Sequence, residues 1–342
     1  MVQKTLSIII PCYNEEANLN ELYNRLTKTL QPLPYVYEIL FVDNASTDSS
    51  ILLYEKLVEK DCHVKVLMMS RNFGSSQTSF FAGLQHAQGD GVILIESDLQ
   101  DPPELIPKLI TKWEEGFDVV YATRKKRHGT PIRRFFYKSF YIIFRWLSYL
   151  KIPLDAGDFS LLDRKVVDVI KKLPEKDVYI RGLRTWAGFR QTGVEYVRDA
   201  RTHGTTSIRF LQNFSWAKKA IINFSYKPLE LISKLTILAA IGTICAAGIY
   251  LSIFLRADMP RGFPTIIMIM LLFGTIQLLA LSIIGEYLIR MFQEIKGRPP
   301  YIISQVLQQK QIVKERVHEE IPGYGRERLS RNESGQSTPP GK

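Results

Sequence analysis

Two long apolar segments constrain the fold of this chain more than any other feature of its sequence. Leu231–Leu255 contains a single charged residue, Lys234, and Phe263–Gly285 contains none. Each segment is long enough to cross a hydrocarbon layer of about 30 Å, which takes about 20 helical residues. A buried helical hairpin of a soluble protein is the alternative, but two uninterrupted apolar runs of this length are typical of membrane proteins. We therefore predict a hairpin of two membrane spans joined by a short link at 256–262.

Basic residues around the hairpin predict its orientation. Those on the outer flanks are Lys218, Lys219 and Lys227 before the hairpin and Arg290, Lys296 and Arg298 after it. The short link contains two basic residues. Because the cytoplasmic loops of membrane proteins carry an excess of Lys and Arg, we expect both ends of the hairpin, and with them the N-terminal domain, to face the cytoplasm.

Two further segments, at 131–151 and 208–219, are aromatic, basic and amphipathic. One interpretation is that they form helices that pack on the N-terminal domain. The other is that they lie at a bilayer surface, where aromatic rings sit at headgroup depth and Lys and Arg meet anionic lipid. The sequence leaves both interpretations open.

The formal net charge of +11 calls for an anionic partner. Nucleic acid, a phosphorylated substrate and an anionic lipid surface all fit this charge. Since lipid, phosphate and membrane topology account for this charge, we expect no nucleic-acid partner.

The three cysteines, Cys12, Cys62 and Cys245, are far apart and lack metal-ligand spacing, which predicts reduced thiols. The N-terminal apolar run is short and ends in Pro11 and an acidic pair, so it predicts a first strand rather than a signal peptide.

The N-terminal part of the chain alternates short β-branched runs with helical patterns. Strands are predicted at Leu6–Ile10, Glu38–Val42, Val64–Met68, Val92–Glu96 and Val119–Ala122. Helices are predicted at Asn18–Leu30, Ser49–Lys60, Ser76–His86 and Pro103–Glu115, where apolar residues recur at helical spacing. Strands that alternate with helices indicate an α/β fold with a mostly parallel sheet covered by helices.

Polar side chains follow three of the predicted strands directly. Tyr13, Asn14 and Glu15 follow the first strand, Asp43 ends the second, and Asp98 closely follows the fourth. In parallel α/β sheets, ligands bind at the carboxyl ends of the strands. The sequence therefore predicts a binding site at this edge of the sheet.

The motifs of this chain, in their order, resemble the inverting GT-A glycosyltransferases of family 2. More narrowly, the chain is similar to the polyprenyl-phosphate glycosyltransferases, the group that includes dolichol-phosphate mannose synthase and the bactoprenol glucosyltransferases. The resemblance covers about residues 5–300. It is carried by runs at 7–19, 38–48, 70–90, 96–105, 118–124, 155–164, 180–189 and 297–301.

The resemblance implies a Rossmann-like GT-A catalytic domain at 1–205, and the hydropathy pattern divides the remainder. An amphipathic interfacial helix is expected at 206–228 and the membrane hairpin at 229–290, with spans of about 231–255 and 263–285. A cytoplasmic tail follows at 291–342. Its Gly, Ser, Pro and Arg content predicts disorder from about residue 322.

A metal site is predicted at the acidic triplet Glu96-Ser97-Asp98. A sugar nucleotide needs a divalent cation, Mg²⁺ or Mn²⁺, and such cations take oxygen ligands. Asp98 is the main candidate ligand, with Gln100 and Glu96 beside it, because alternate residues share a face if the strand extends that far. The family usually has Asp where this chain has Glu96, and the extra methylene moves the carboxylate by about 1.5 Å. We therefore expect a water-mediated role for Glu96. Helix capping is the alternative for these acids, and Asp101 fits it better than Asp98.

The resemblance also implies the nucleotide contacts. Pro11, Tyr13 and Glu15 should frame the uracil and ribose, and Asp43 should accept from the base; Asn72 and Ser97 belong to the same site. For Glu15 alone, a first-turn acid that favours the helix dipole is an equal alternative. The family commonly reads Asp-Asp-Gly-Ser where this chain has Asp43-Asn44-Ala45-Ser46, which suggests that the nucleotide needs only the first Asp.

Asp158 resembles the carboxylate at the family's catalytic centre. A polyprenyl phosphate is largely dianionic at neutral pH, because its second pKa is near 6, and needs no base. The roles of general base and of orienting residue therefore both remain possible for Asp158.

The resemblance assigns phosphate binding to a set of arginines, which suit this role because the planar guanidinium binds phosphate with two nitrogens. These are Arg124, Arg133, Arg134, Arg198 and Arg201. The Lys that the family commonly carries is Ser207 here, with Arg209 or Lys218 as candidate replacements.

Together these features predict the inverting transfer of a hexose to a polyprenyl phosphate at the cytoplasmic membrane face. The expected donor is UDP-glucose and the expected product a β-linked lipid phosphosugar. A non-catalytic membrane scaffold is one alternative. A processive polysaccharide synthase is another, although its Gln-x-x-Arg-Trp motif is absent around Arg184-Thr185-Trp186. A possible exposed strand at Tyr301–Ser304 suggests a homo-oligomer.

Overall fold

The computed structural model of this chain describes residues 3–124, 153, 156–197, 227–254 and 263–309. The chain divides into two compact units, one of Met1–Pro107 with Pro299–Lys342 and one of Lys108–Arg298. Several predictions fall outside the described residues. These are the amphipathic segments at 131–151 and 208–219, the disordered tail, and Arg133, Arg134, Arg198, Arg201, Ser207, Arg209 and Lys218.

The described secondary structure follows the predicted alternation. In chain order the elements are β1 (Thr5–Cys12), α1 (Glu16–Leu30), β2 (Val36–Asp43), α2 (Ser50–Lys60), β3 (Val64–Met69), α3 (Ser76–His86), β4 (Gly91–Leu94), a 3₁₀ turn (Pro103–Leu105), α4 (Ile106–Glu114), β5 (Val119–Arg124), β6 (Ala156–Asp163), α5 (Arg164–Lys171), α6 (Ile180–Trp186), β7 (Gln191–Tyr196), α7 (Lys227–Phe254), α8 (Phe263–Ile295) and β8 (Ile303–Gln308).

In the first unit the strands run in the order β4-β1-β2-β3-β8. β1 pairs in parallel with β2 and β4, and β2 pairs in parallel with β3. β8 pairs antiparallel with β3 and overlaps the predicted C-terminal strand only at its first two residues. The prediction of an α/β fold with a mostly parallel sheet is confirmed for this unit. The pairing of Cys12 with Asp43 places the carboxyl ends of β1 and β2 side by side.

Continuous apolar runs explain why these strands lie inside the unit. Leu6 through Cys12 is buried throughout, as expected for a strand covered on both faces. Helix α3 approaches β1 closely at Gly83, where an added Cβ would lie 2.2 Å from Cγ2 of Ile9. No larger residue fits there without a shift of Ile9, so the packing fixes α3 against β1 and sets the position of Ser76 at its N-terminus.

In the second unit β5 lies between β6, which is antiparallel to it, and β7, which is parallel. Helix α5 is strongly amphipathic and buries Val166, Val167 and Ile170. Its N-cap, Asp163, accepts from the backbone N–H of Lys165 and from the indole N–H of Trp113 in α4 at 2.7 Å. These contacts tie two helices to the end of β6.

Both predicted spans are helical, and α7 and α8 contact each other. Within the described residues, one segment is long and apolar enough to cross a membrane by length and composition. It is Leu272–Ile295, with a mean hydropathy of 1.7 and none of it buried. Thus a single candidate span is supported and the second span of the hairpin stays a prediction. Helix α8 also extends ten residues beyond the predicted end at Gly285.

Candidate active site

A pocket opens in the first unit beside the carboxyl ends of β1 and β2. Six of the residues predicted for the nucleotide and metal site line it together. The lining residues are Pro11, Cys12, Tyr13, Glu15, Asn44, Asn72, Gly74, Ser76, Ser79, Glu96 and Ser97. The parallel pairing of the strands brings these residues together from four separate stretches of the chain.

Asp43 lies behind this pocket rather than on its wall. Its carboxylate is fully buried and accepts both the backbone N–H of Ser46, at 3.0 Å, and the Ser46 hydroxyl. The same hydroxyl oxygen accepts the backbone N–H of Asn14 at 2.9 Å. Burial raises the pKa of Asp43, while the Ser46 donors partly offset this rise. Asp43 therefore braces the loops after β1 and β2, and its expected contact with the base stays a prediction.

Ala45 adopts a left-handed backbone conformation, with φ of +59°. The Asp43–Ser46 hydrogen bonds close a tight loop around Ala45, at the position where the family resemblance leads one to expect glycine. A residue with a Cβ pays roughly 1–2 kcal/mol for this conformation. The chain has lost the glycine but kept the backbone shape that favours it.

Asn44 has a role that the sequence did not reveal. Its side-chain oxygen accepts the backbone N–H of Phe73 at 2.9 Å, and its side-chain nitrogen donates to the Asn72 side-chain oxygen at 3.3 Å. Asn72 in turn accepts the backbone N–H of Gly74 at 2.7 Å. An aspartate at position 44 has no N–H to donate to Asn72. Asn44 thus ties the loop after β2 to the loop after β3.

The acidic triplet does not continue the preceding strand. Strand β4 ends at Leu94, and Leu99 is left-handed with φ of +58°, so residues 96, 98 and 100 do not lie along one extended strand. The physical reason is that Leu99 is 1% exposed: the chain turns to bury this apolar side chain within the acidic segment. The 3₁₀ turn that follows begins after Pro102, and the alternative of helix capping by Asp101 stays a prediction.

Glu96 and Asp98 nevertheless have different surroundings. The Glu96 carboxylate accepts the Ser76 hydroxyl at 3.1 Å, which holds it toward the start of α3. The Asp98 carboxylate accepts the backbone N–H of Gln100 at 3.2 Å. The oxygen-only donor set of this segment suits Mg²⁺ or Mn²⁺, which bind through one or two carboxylates and the phosphates of the substrate.

Over the described residues, one group of three side chains has metal-ligating atoms within 4.8 Å of one another, and this group lies outside the pocket. Asp61, Cys62 and His63 precede β3, at the end of the sheet opposite the pocket. Asp61 is already engaged, since it accepts the Tyr23 hydroxyl at 2.9 Å and lies 2.7 Å from Nδ1 of His63. The pocket itself therefore lacks a preformed cage of three protein ligands among these residues, as expected where a nucleotide supplies most of the ligands.

In the second unit, Asp158 is held by an arginine that the sequence analysis did not single out. Arg181 donates to both carboxylate oxygens, through Nε at 2.9 Å and Nη2 at 2.6 Å. Asp158 is 6% exposed. This two-point contact fixes both side chains in one plane. Arg181 lies within the family-like run at 180–189, but its partner is 23 residues away, and no local sequence pattern indicates the pairing.

Two further arginines surround Gly157, the residue before Asp158. Arg184 is fully buried, donates to the Gly157 carbonyl at 3.0 Å and lies 5.3 Å from the centre of the Tyr121 ring. Burial lowers its pKa to about 10, which leaves it protonated at neutral pH. Arg124, at the end of β5, has Nη2 3.5 Å from where a Cβ on Gly157 would lie. Arg124 is the one predicted phosphate-binding arginine within the described residues.

Comparison with known proteins identifies the family. Residues 7–170 match the model of glycosyl transferase family 2. An uncharacterized glycosyltransferase of Bacillus subtilis is 43% identical over 305 residues, which cover 87% of this chain and 93% of that protein. The chain belongs to glycosyltransferase family 2. The resemblance on which the sequence analysis rested is confirmed.

Other family 2 relatives align over the same extent. An uncharacterized glycosyltransferase of Synechocystis sp. is 41% identical over 302 residues, covering 87% of this chain and 94% of the relative. A prophage-derived bactoprenol glucosyl transferase of Shigella flexneri is 35% identical over 301 residues, covering 87% of this chain and 97% of the relative. The matched length extends well beyond the family 2 model.

Replacing Ala45 by glycine should stabilise the protein. The substitution removes the steric cost of the left-handed conformation, and the greater entropy of unfolded glycine cancels only part of the gain, which leaves about 0.5–1 kcal/mol. Thermal unfolding of the full-length protein in detergent measures the change. The matched control is Ala17→Gly, on the exposed face of α1, which should destabilise by about 1 kcal/mol. If both substitutions destabilise equally, the left-handed assignment at Ala45 is wrong.

Proposed function

We propose that this family 2 enzyme transfers glucose from UDP-glucose to a polyprenyl phosphate. The transfer is a single inverting displacement at the cytoplasmic membrane face and gives a β-linked lipid phosphosugar. The observation that carries the proposal is the pocket at the carboxyl ends of β1 and β2, which gathers the nucleotide-type residues around Glu96 and Ser97. The name of the Shigella flexneri relative, a bactoprenol glucosyl transferase, supports the acceptor and the sugar.

The donor half of the reaction belongs to the first unit. Tyr13, 45% exposed beside the pocket, offers a ring to the uracil. Glu15 offers a carboxylate acceptor, and Asn72 a side-chain N–H donor, to the ribose and base. Asp98 and Gln100 supply the oxygen ligands of a Mg²⁺ or Mn²⁺ ion, with Glu96 acting through water. When bound, the ion neutralises the charge that develops on the departing diphosphate.

The acceptor half requires cations, because a phosphate dianion is the nucleophile. Arg124, Arg181 and Arg184 supply three positive charges around Gly157. We assign Arg181 to the acceptor phosphate, and Arg124 to the acceptor phosphate or the diphosphate, together with the predicted Arg133, Arg134, Arg198 and Arg201. A phosphate that ionises near pH 6 needs no base at neutral pH. Asp158, whose two oxygens both accept from Arg181, then acts by orienting that arginine.

Membrane attachment brings the enzyme to its lipid acceptor. We propose that α7 and α8 both span the bilayer, with the catalytic domain and both termini on the cytoplasmic side, as the flanking basic residues favour. The exposed apolar surface of Leu272–Ile295 supports the second span. Self-association of the enzyme stays a prediction.

The activity is tested by incubating the purified protein with UDP-[¹⁴C]glucose, Mg²⁺ and undecaprenyl phosphate. We expect label in the butanol-extractable lipid, and none when undecaprenol replaces its phosphate, because the alcohol is not an anionic nucleophile. Label from a different sugar nucleotide alone would contradict the assignment of glucose. The proposal fails if no common sugar nucleotide labels the lipid. In that case, calorimetry of UDP binding with Mn²⁺ distinguishes a non-catalytic scaffold from an enzyme with a different acceptor, because the scaffold should show no metal-dependent binding of UDP.

Asp98→Asn should lower kcat/KM by at least about 100-fold, because loss of a metal-ligating charge removes several kcal/mol of stabilisation. Glu96→Gln should cost less than about tenfold, since the amide oxygen still accepts the Ser76 hydroxyl. Ser76→Ala is the matched control for Glu96. Metal titration of each variant gives the second measurement, and the apparent metal affinity should fall more for Asp98→Asn than for Glu96→Gln. The reverse ranking of the two acids would show that the ligand is misassigned.

Asp158→Asn should lower kcat by about tenfold or more, because the amide keeps one acceptor for Arg181 and loses the charge pair. The acidic limb of the pH–rate profile should remain near pH 6, since it reports ionisation of the acceptor phosphate. Arg181→Lys, which keeps the charge but not the fork, should cause a similar loss. If Asp158 were the general base instead, its variant would also lose the acidic limb.

A further inference from the structure

The last turns of α8 contact the segment between α5 and α6. Nη1 of Arg290 lies 2.7 Å from Oδ2 of Asp177, and the Glu294 carboxylate accepts the backbone N–H of Lys176 at 2.8 Å. Arg290 and Glu294 are four residues apart, so they share one face of the helix. Both contacts fall within Leu272–Ile295, the candidate membrane span, at its C-terminal end.

The contacted segment leads directly into the helix that carries Arg181. Val178 and Ile180 are buried, and the backbone N–H of Leu183 donates to the Tyr179 carbonyl at 3.0 Å to close the first turn of α6. Arg181 lies four residues after Asp177. Any displacement of this segment therefore moves the start of α6.

The ion pair between Arg290 and Asp177 is less exposed to solvent than an ordinary surface ion pair. The two side chains are 18% and 28% exposed, so solvent screens the pair less than it screens two fully exposed charges. By its sequence position alone, Arg290 is one of the cations that predict the membrane topology. Its fixed carboxylate partner gives it a second, specific role that topology does not require.

We propose that Arg290 and Asp177 are positioning residues that act through Arg181. The cytoplasmic end of α8 holds the segment at 176–177, the segment fixes the first turn of α6, and α6 presents Arg181 to Asp158. The membrane helix is then a structural support of the Asp158–Arg181 pair as well as an anchor. The effect on catalysis rests on the proposed function, whereas the effect on α6 does not.

Hydrogen exchange of the full-length protein in nanodiscs tests the support without any activity. Arg290→Gln and Asp177→Asn should each raise the exchange of the α6 amides by about fivefold, which corresponds to about 1 kcal/mol of local stabilisation. The charge-reversed pair Asp177→Arg with Arg290→Asp should restore protection. Lys296→Gln is the matched control, because it removes one positive charge from the same end of α8, where the lysine contacts the Phe292 ring. Exchange equal to that of the control would overturn the proposal.

Kinetics test the consequence for the reaction. Each single variant should lower kcat by about fivefold and leave KM for the sugar nucleotide unchanged, because the nucleotide pocket lies in the first unit. The charge-reversed pair should recover most of the rate. A loss that the reversed pair does not recover, or a rise in KM alone, would overturn the catalytic part. If wild-type protein transfers no sugar, the proposed function fails, and the exchange experiment still decides whether α8 supports α6.

Discussion

The parallel pairing of β1 with β2 and β4 is the constraint on which the candidate pocket depends. Cys12 faces Asp43 across one ladder, and Ile9 faces Leu94 across the other, so three strands end at one edge. The loops that follow are then joined by side chains rather than by more sheet. Asp43 and Ser46 connect the first two loops, and Asn44 with Asn72 connects the second to the third. The carboxylate of Asp43 is buried, which raises its pKa. Its burial is tolerated because it accepts hydrogen bonds from the backbone N–H and the hydroxyl of Ser46, which would otherwise lack partners.

The positions of the strands could be predicted from the sequence because a strand that is buried on both faces of a sheet is a continuous apolar run. β3 was predicted within one residue, and α3 at both ends. The C-terminal end of α8 was not, since Arg290 and Glu294 look like residues that leave a membrane helix. They continue the helix because each has a partner in the segment before α6. Pairings over more than 100 residues of sequence leave no local pattern.

More of the pocket in the first unit than of the arginine cluster around Gly157 could be predicted from the sequence. Six pocket residues were identified because they follow strands directly and because their motifs resemble a family. The shape of the acidic segment was not, because the period of a strand says nothing about where the strand stops. A single apolar residue, Leu99, ends the extension by turning inward. Arg181 and Arg184 were missed for another reason: an arginine in a basic chain is ordinarily a solvated residue, and only its burial or its partner distinguishes it.

The arginines around Gly157 also give a physical reason for the presence of the Asp158 carboxylate among them. Three guanidinium groups without a counter-charge would repel one another, and the buried Arg184 already has a pKa lowered to about 10 by desolvation. Asp158 offsets part of this repulsion and takes up the two donors of Arg181 that would otherwise point in variable directions. A carboxylate used in this way need not accept a proton at any step. Its contribution is to keep the cations close together and to hold the Arg181 guanidinium in a fixed plane.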